Sequence, residues 1–548
     1  MFRKAVLLIF ATVVGALVNP HLASAFQAWD PQAPAGLQQQ QGNLPGRNAS
    51  YNGPAYNSNW QVQDSTPTQD QQPLAGNPPL QGGEAVVKPA TEKPAEKAAE
   101  KPAEKKPEPE DPLKMSAKWN NGLELQTADK KFRVHVGGRY QMDASWFSVD
   151  QAVQNNINIP YGDGVDMRRA RFRIDGTLYE NQEWAAEVDF VNSFRTRNQP
   201  ISATNPGFTD NAVTALTDFW WQFNNMPRLG SLRIGQQKEP IGFEHLVSSR
   251  YQPLMERSYN QDTFYGGTFN GFNPGIQAFR NYGCDEMGVV QMGIFKPVSN
   301  VYGFNAGDGD YSATGRITRL LQYSDEGRYL THVGISGRQA TAVSQAGVPG
   351  RIQTFRTRDA IRSGLSADWP VPAGIALFGD DMQWLNTELV VVRGPWTFQS
   401  EYLVSLFHDA STTFAGAQDP NVTYHGGYIQ LFRFLTDDYE NYDKKKGFFE
   451  RVKPLHPYRL PIGPEENACK GIGAVQAGAR YNYLDLNDSG LNGGKLHNMT
   501  FGVNWFLNPN MKLQGNYIFT YRDVSDTANF PGGSGWIHGF GGRIAIDF

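Results

Sequence analysis

Cysteine is almost missing from this chain. Only Cys284 and Cys469 occur in 548 residues, so a disulfide framework is excluded, and a single bridge between the two is permitted but not required. Long apolar runs are scarce too. The one candidate, Ala5 to Val18, follows Met1-Phe2-Arg3-Lys4 and leads to Ala23-Ser24-Ala25, small residues of the kind a signal peptidase reads, so residues 1–25 read as a secretory signal peptide. No later stretch approaches the roughly 20 apolar residues of a membrane helix, which leaves a closed β-barrel as the way to cross a bilayer. Neither sign of charge dominates: the formal net charge is −4, and 41 basic and 43 acidic residues follow Pro112. With no Lys/Arg-dense stretch interleaved with aromatics, nucleic-acid binding has no support. The nine histidines are scattered, neither Gly-x-Ser-x-Gly nor His-Glu-x-x-His occurs, and no ligand cluster suggests a metal; no enzyme, metal or cofactor is expected.

What is present is glycine (57 residues), aromatics (12%) and a modest 19% of charged residues, a mixture suited to many strands and turns. Residues 26–87 are rich in Gln, Asn, Pro, Ala and Gly without apolar pattern, which predicts a disordered leader. Residues 88–112 repeat Glu-Lys pairs broken by proline, which predicts an extended spacer; either it is a solvated linker or it reaches peptidoglycan as a tether.

From residue 113 to 548 the chain alternates. Phe132, Val134, Val136, Tyr140, Met142 and Trp146 share one face of a strand, against Arg133, His135, Arg139, Gln141 and Asp143 on the other. The pattern returns at Val475, Ala477, Ala479 and Tyr481 against Gln476 and Arg480, at Phe501, Val503 and Trp505 against Thr500 and Asn504, and at Trp536, Phe540, Ile544, Ile546 and Phe548 against Arg543 and Asp547. Short connections such as 393–396 and 508–510 alternate with long polar ones at 150–164, 195–211, 408–421 and 523–534, the rim asymmetry of an outer-membrane barrel. The closing amphipathic strand ends on an aromatic residue and resembles the assembly signal of such barrels. Together these features predict an all-β fold, a transmembrane antiparallel β-barrel in the outer membrane.

Several segments then resemble one family. Met167-Arg168-Arg169-Ala170-Arg171-Phe172-Arg173, Gly235-Gln236-Gln237-Lys238-Glu239-Pro240, Met255-Glu256-Arg257-Ser258, Leu435-Thr436-Asp437-Asp438 and Gly502-Val503-Asn504-Trp505 are similar to the phosphate-selective porin O and P family, in the right order across the β domain. The chain departs from that pattern at Asp437, where Gly is usual, and in its long leader. The resemblance implies a 16-stranded, usually trimeric porin with an inward-folded constriction where basic side chains pass anions.

The expected function is accordingly an outer-membrane channel that prefers anions, for phosphate or related oxyanions. The partners expected are those anions, outer-membrane lipid and two further copies of the chain. Arg169, Arg171 and Arg173 share a face and form one basic column, with Arg133 and Arg139 on the preceding strand as a second; Lys238, Arg257, Arg280 and Arg316 are candidates from later strands or an infolded loop. Arg168 has the opposite parity and is expected at the strand entrance. Each arginine has a plainer reading as the partner of a wall carboxylate such as Glu187 or Asp189. His135 and His332 are expected as polar lumen residues. A general non-selective porin and a structural barrel that anchors the envelope are the competing readings.

Overall fold

A computed structural model describes residues 111–157, 160–191, 214–265, 271–297, 310–344, 351–362, 370–413, 421–458, 471–524 and 532–548. The signal peptide, leader, most of the spacer, Cys469 and the loop expected at 195–211 lie outside the described residues.

A hairpin of β1 (Met115–Trp119) and β2 (Leu123–Thr127) leads into the barrel. The barrel begins with β3 (Arg133–Val149), β4 (Gly164–Leu178), β5 (Gln182–Asp189), β6 (Ala215–Met226), β7 (Gly230–Lys238), β8 (Phe272–Tyr282), β9 (Gly288–Phe295), β10 (Ser312–Ser324) and β11 (Tyr329–Thr341). Three short strands, β12 (Val343–Ser344), β13 (Arg351–Thr357) and β14 (Ala373–Phe378), form a separate small sheet. The wall resumes with β15 (Asp381–Arg393), β16 (Trp396–Phe407) and β17 (Val422–Phe434), is interrupted by the hairpin β18 (Tyr442–Asp443) and β19 (Phe448–Phe449), and ends with β20 (Ala474–Asp488), β21 (Leu491–Asn508), β22 (Met511–Asp523) and β23 (Gly535–Asp547). Each wall strand pairs antiparallel with its neighbours, and β23 pairs back onto β3 with Arg543 opposite Asp143. The ring therefore closes on 16 strands and leaves no open edge in the bilayer.

Side-chain parity sorts the wall. Trp146, Phe172, Phe219, Ile294, Ile429, Phe501 and Phe540 are exposed on the outside, while Gln141, Asp143, Ser145, Gln430, Asn482, Thr500 and Asn504 are buried inside. A water-soluble sheet would reverse this arrangement; apolar outside and polar inside is the pattern of a membrane-spanning barrel. Tight turns at one rim are set by paired left-handed residues, such as Asp325 (φ 51°) and Glu326 (φ 52°), whose backbone twist matches the flanking strands.

Three segments fill part of the lumen. The described parts of 239–271 fold in from the long-loop rim and carry two single-turn helices, α1 (Phe243–Leu246) and α2 (Tyr259–Thr263). The described parts of 342–380 join them, so that Ile241, Tyr259 and Phe264 pack with Phe355, Leu403, Phe407 and Tyr424 in an internal apolar core. The described parts of 435–473 start from the opposite rim, where short turns are the rule, and this departs from the loop asymmetry expected from the sequence. Their hairpin meets the infolded loop at Phe243, whose ring lies 5.0 Å from that of Phe449. Fully burying a ring of this size contributes about 1.5–3 kcal/mol.

Barrel closure is completed by the Phe548 amide, which donates to the Gly138 carbonyl at 3.0 Å. A Cβ at Gly137 would collide with the Phe548 carbonyl oxygen. Gly137→Val is expected to block closure, read as loss of the compact, heat-modifiable band on a denaturing gel; a normal folded band would show that this seam tolerates a side chain.

Candidate functional site

The infolded loop carries four carboxylates, and each is bonded to a guanidinium. Glu239 accepts from Arg338 of β11 at 2.9 and 3.3 Å, and Glu244 from Arg480 of β20 at 2.5 Å. Glu256 accepts from Arg168 of β4 at 2.6 and 2.9 Å and from Arg543 of β23 at 2.9 Å. Asp262 accepts from Arg358 at 2.7 and 2.9 Å and from Arg362 at 3.1 Å. Burial alone would raise the Glu256 carboxyl, but Arg168, Arg362 and Arg169 hold it well below the usual carboxylate range; Arg358 and Arg362 likewise outweigh burial and bring Asp262 down to about 2. The wall answers with a carboxylate of its own, since Glu401 accepts the backbone N–H groups of Phe243 and Glu244 at 2.8 and 2.7 Å.

Because these acids point into partners, they do not line the open space that remains. A cavity of about 330 Å³ lies beside the loop. Its basic lining is Arg139, Arg169, Arg171, Arg173, Arg233, Lys238, Arg250, Arg257, Lys445 and Lys446, ten groups against the three acids Glu187, Asp218 and Glu450. A second, more open cavity of about 550 Å³ shares Arg250, Tyr251, Lys446 and Glu450 with it and adds Arg133, His135, Arg451 and Lys453.

The cationic groups differ in how far they are neutralised. Arg171 donates to Asp189 at 2.7 Å and Glu187 at 2.9 Å, Arg139 also pairs with Glu187, and Arg173 donates to Asp218 at 2.9 Å and Asp175 at 3.1 Å. Arg133 pairs with Asp175 at 3.2 Å and Glu124 at 3.5 Å. Arg169 is bonded to Gln141 at 2.8 Å, with Glu256 3.9 Å away. Lys238 and Arg257 donate to backbone carbonyls instead: Lys238 to His245, and Arg257 to Glu244 at 3.0 Å and Val247 at 2.6 Å. Among the described residues neither has a carboxylate in ion-pair contact.

Three placements correct the sequence reading. Arg168 is inside, because a β-bulge between Arg169 (opposite Gln141) and Met167 (opposite Met142) inserts one residue and breaks the alternation. Arg280 is exposed, shares the outward parity of Ile276 and donates to the Arg228 carbonyl at 3.1 Å, so it lies outside the lumen. Arg316 is fully buried and bonded to Glu388 at 2.8 and 2.7 Å and to Gln291 at 3.0 Å, with no face on the cavity. His332 is buried with that pair, its Nε2 3.1 Å from Glu388, while His135 faces the second cavity.

Comparison with known proteins bears on the same barrel. The family model described as phosphate-selective porin O and P matches residues 134–531. This chain belongs to that family. As a porin it is a channel of the outer membrane and not an enzyme. Porin O of Pseudomonas aeruginosa is 25% identical over 454 residues, which span 77% of this chain and 90% of that protein. An uncharacterized protein of Caulobacter vibrioides is 25% identical over 444 residues, 78% of this porin and 76% of its own length. Among solved structures, the anion-selective porin from Comamonas acidovorans has a TM-score of 0.42 at 13% identity and covers 76% of this chain and 100% of its own.

Arg233, Arg250, Lys445 and Lys446 of the porin were missed in the sequence. Arg233 was legible, since it alternates with the exposed Ile234; the two lysines lie in the β18–β19 turn, where no dyad pattern announces a lumen residue. The same segment buries Glu440, which accepts from Gln476 at 2.7 Å through one oxygen while the other has no partner among the described residues. Burial pushes this carboxyl up to about 7 from an ordinary 4.5. An acid raised by folding stabilises least when ionised, so its contribution declines as pH rises from about 4.5 through 7. Glu440→Gln is expected to raise the thermal midpoint at pH 8.5 and leave it nearly unchanged at pH 5; an equal change at both pH values would contradict this assignment.

Proposed function

We propose that this porin is an anion-preferring diffusion channel for phosphate or related oxyanions, and that Arg139, Arg169, Arg171, Arg173, Lys238 and Arg257 lie along the anion path, joined by Arg233, Arg250, Lys445 and Lys446. One observation carries the reading: ten basic groups and three acids line a cavity beside a loop whose own carboxylates are bonded elsewhere. Clustered charge of one sign between low-dielectric walls raises the local concentration of the opposite ion.

Passage also requires release. A deep trap would bind and hold, whereas several moderated sites in series let an ion step through. Arg139, Arg171 and Arg173 are moderated by Glu187, Asp189 and Asp218, which leaves Lys238 and Arg257 as the stronger rungs. Guanidinium forks also match the oxygens of a phosphate group better than a point charge does. The reading includes a homotrimer, as the family implies.

Planar-bilayer recording in a salt gradient tests this. The reversal potential is expected to have the sign of anion flow, and added phosphate is expected to reduce the chloride current. Lys238→Ala and Arg257→Ala are each expected to lower anion preference, and Arg171→Ala to lower it further because its removal also frees Glu187 and Asp189. A reversal potential of the opposite sign would overturn the reading, and equal anion and cation flow would make this a general porin.

A further inference from the structure

The first turn of the infolded loop is bonded through both kinds of backbone group. Its N–H groups meet the wall: Gly242 donates to the Ser336 hydroxyl of β11 at 3.1 Å, Phe243 to Oε2 of Glu401 on β16 at 2.8 Å, and Glu244 to Oε1 of the same carboxylate at 2.7 Å. Its carbonyls meet two cations of the proposed path. Lys238 donates to the His245 carbonyl, and Arg257 to the carbonyls of Glu244 at 3.0 Å and Val247 at 2.6 Å. Lys238 and Arg257 both line the cavity of about 330 Å³, whereas Glu401 does not.

Glu401 is built to hold peptide groups. The Tyr428 hydroxyl donates to its Oε1 at 2.6 Å and the Asn386 amide to its Oε2 at 3.1 Å, so each carboxylate oxygen takes one donor from the wall and one from the turn. Bonds from N–H to an ionised acceptor are roughly twice as strong as neutral ones, which makes Glu401 a firmer hold than Ser336. Gly242 allows the close approach. Its φ is 67°, and a Cβ there would stand 2.8 Å from Glu401 Oε2 and 2.6 Å from the Tyr265 hydroxyl. Arg480 also reaches this turn, but through the Glu244 side chain, which can rotate and so does not fix the direction of the peptide groups.

We infer that Glu401 is a positioning residue for anion selection. By fixing the amides of Phe243 and Glu244 it sets where the carbonyls of Glu244, His245 and Val247 stand, and those carbonyls set where Lys238 and Arg257 hold their charges. A wall acid outside the cavity thereby supports anion preference, the opposite of what its own charge would do. The inference rests on the proposed anion channel and assigns part of its selectivity to a residue that no permeating ion touches.

The sign of one shift tests it. In Glu401→Gln a nitrogen replaces one of the two accepting oxygens and meets donors, so a hold on the turn is lost. Loss of a negative charge would by itself raise anion preference. Loss of positioning lowers it, and the anion-to-cation permeability ratio from the reversal potential of the full-length protein at pH 8 is expected to fall by about twofold to tenfold, the factor carried by one net hydrogen bond. In a Lys238→Ala, Arg257→Ala background the same change is expected to give no further fall, because the effect runs through those two cations. A ratio that rises or stays as in the wild type, in a barrel that keeps its heat-modifiable band, would overturn the assignment and leave the channel reading standing. A fall of equal size in the doubly substituted background would also overturn it. Where Glu401→Gln yields no folded band, Ser336→Ala decides: a smaller fall in the ratio supports the inference, and an unchanged ratio overturns it. A cation-selective reversal potential in the wild type would instead remove the reading on which the inference rests.

Discussion

The molecule's function hangs on where the carboxylates of one loop point. Glu239, Glu244, Glu256 and Asp262 all lie on a segment folded into the lumen, and all four end on arginines. Removing one partner of such a buried pair costs about 3–5 kcal/mol, because a charge is left unpaired away from water, whereas the intact pair gains little over an apolar contact. The pairs therefore fix position more than they add stability. They hold the loop against β4, β11, β20, β23 and the 358–362 segment and neutralise its acidity there, so the cavity beside it is bounded by a basic excess.

The barrel supplies the conditions for that arrangement. Strand pairing satisfies the backbone groups that the bilayer cannot, and parity then sends apolar side chains outward and polar ones inward. A lumen built this way holds many charged groups at close quarters, and each must find a partner or remain in contact with water. Arg316 and Glu388 take the first course and become part of the packing; Lys238, Arg233 and Arg257 donate to neutral oxygens and line the cavity.

Alternation made the wall legible. The faces read for residues 475–507 and 536–548 agree with the structure because a two-residue period is a local property of each strand, and so does the strand count, which the chain length supports. The failures have physical causes. Arg168 was misplaced because a bulge inserts a residue without a mark in composition. Arg280 was misplaced because it shares the outward parity of its strand, a sign that counting positive charges overlooks. Arg316 lies on an inward face, as a lumen residue would, but its partner Glu388 stands 72 positions away and no local pattern joins them. The hairpin at Tyr442 to Phe449 lacks the length of a wall strand, and its entry into the lumen depends on contacts with Phe243 from a distant loop.

The central claim is that the loop's carboxylates are out of reach of the cavity and that its cations are not. Anomalous diffraction from crystals soaked in rubidium bromide tests both halves in one experiment. Bromide peaks are expected in the cavity beside Lys238 and Arg257, with no rubidium at Glu239, Glu256 or Asp262. Rubidium bound at those carboxylates, with the cavity free of bromide, would contradict the account.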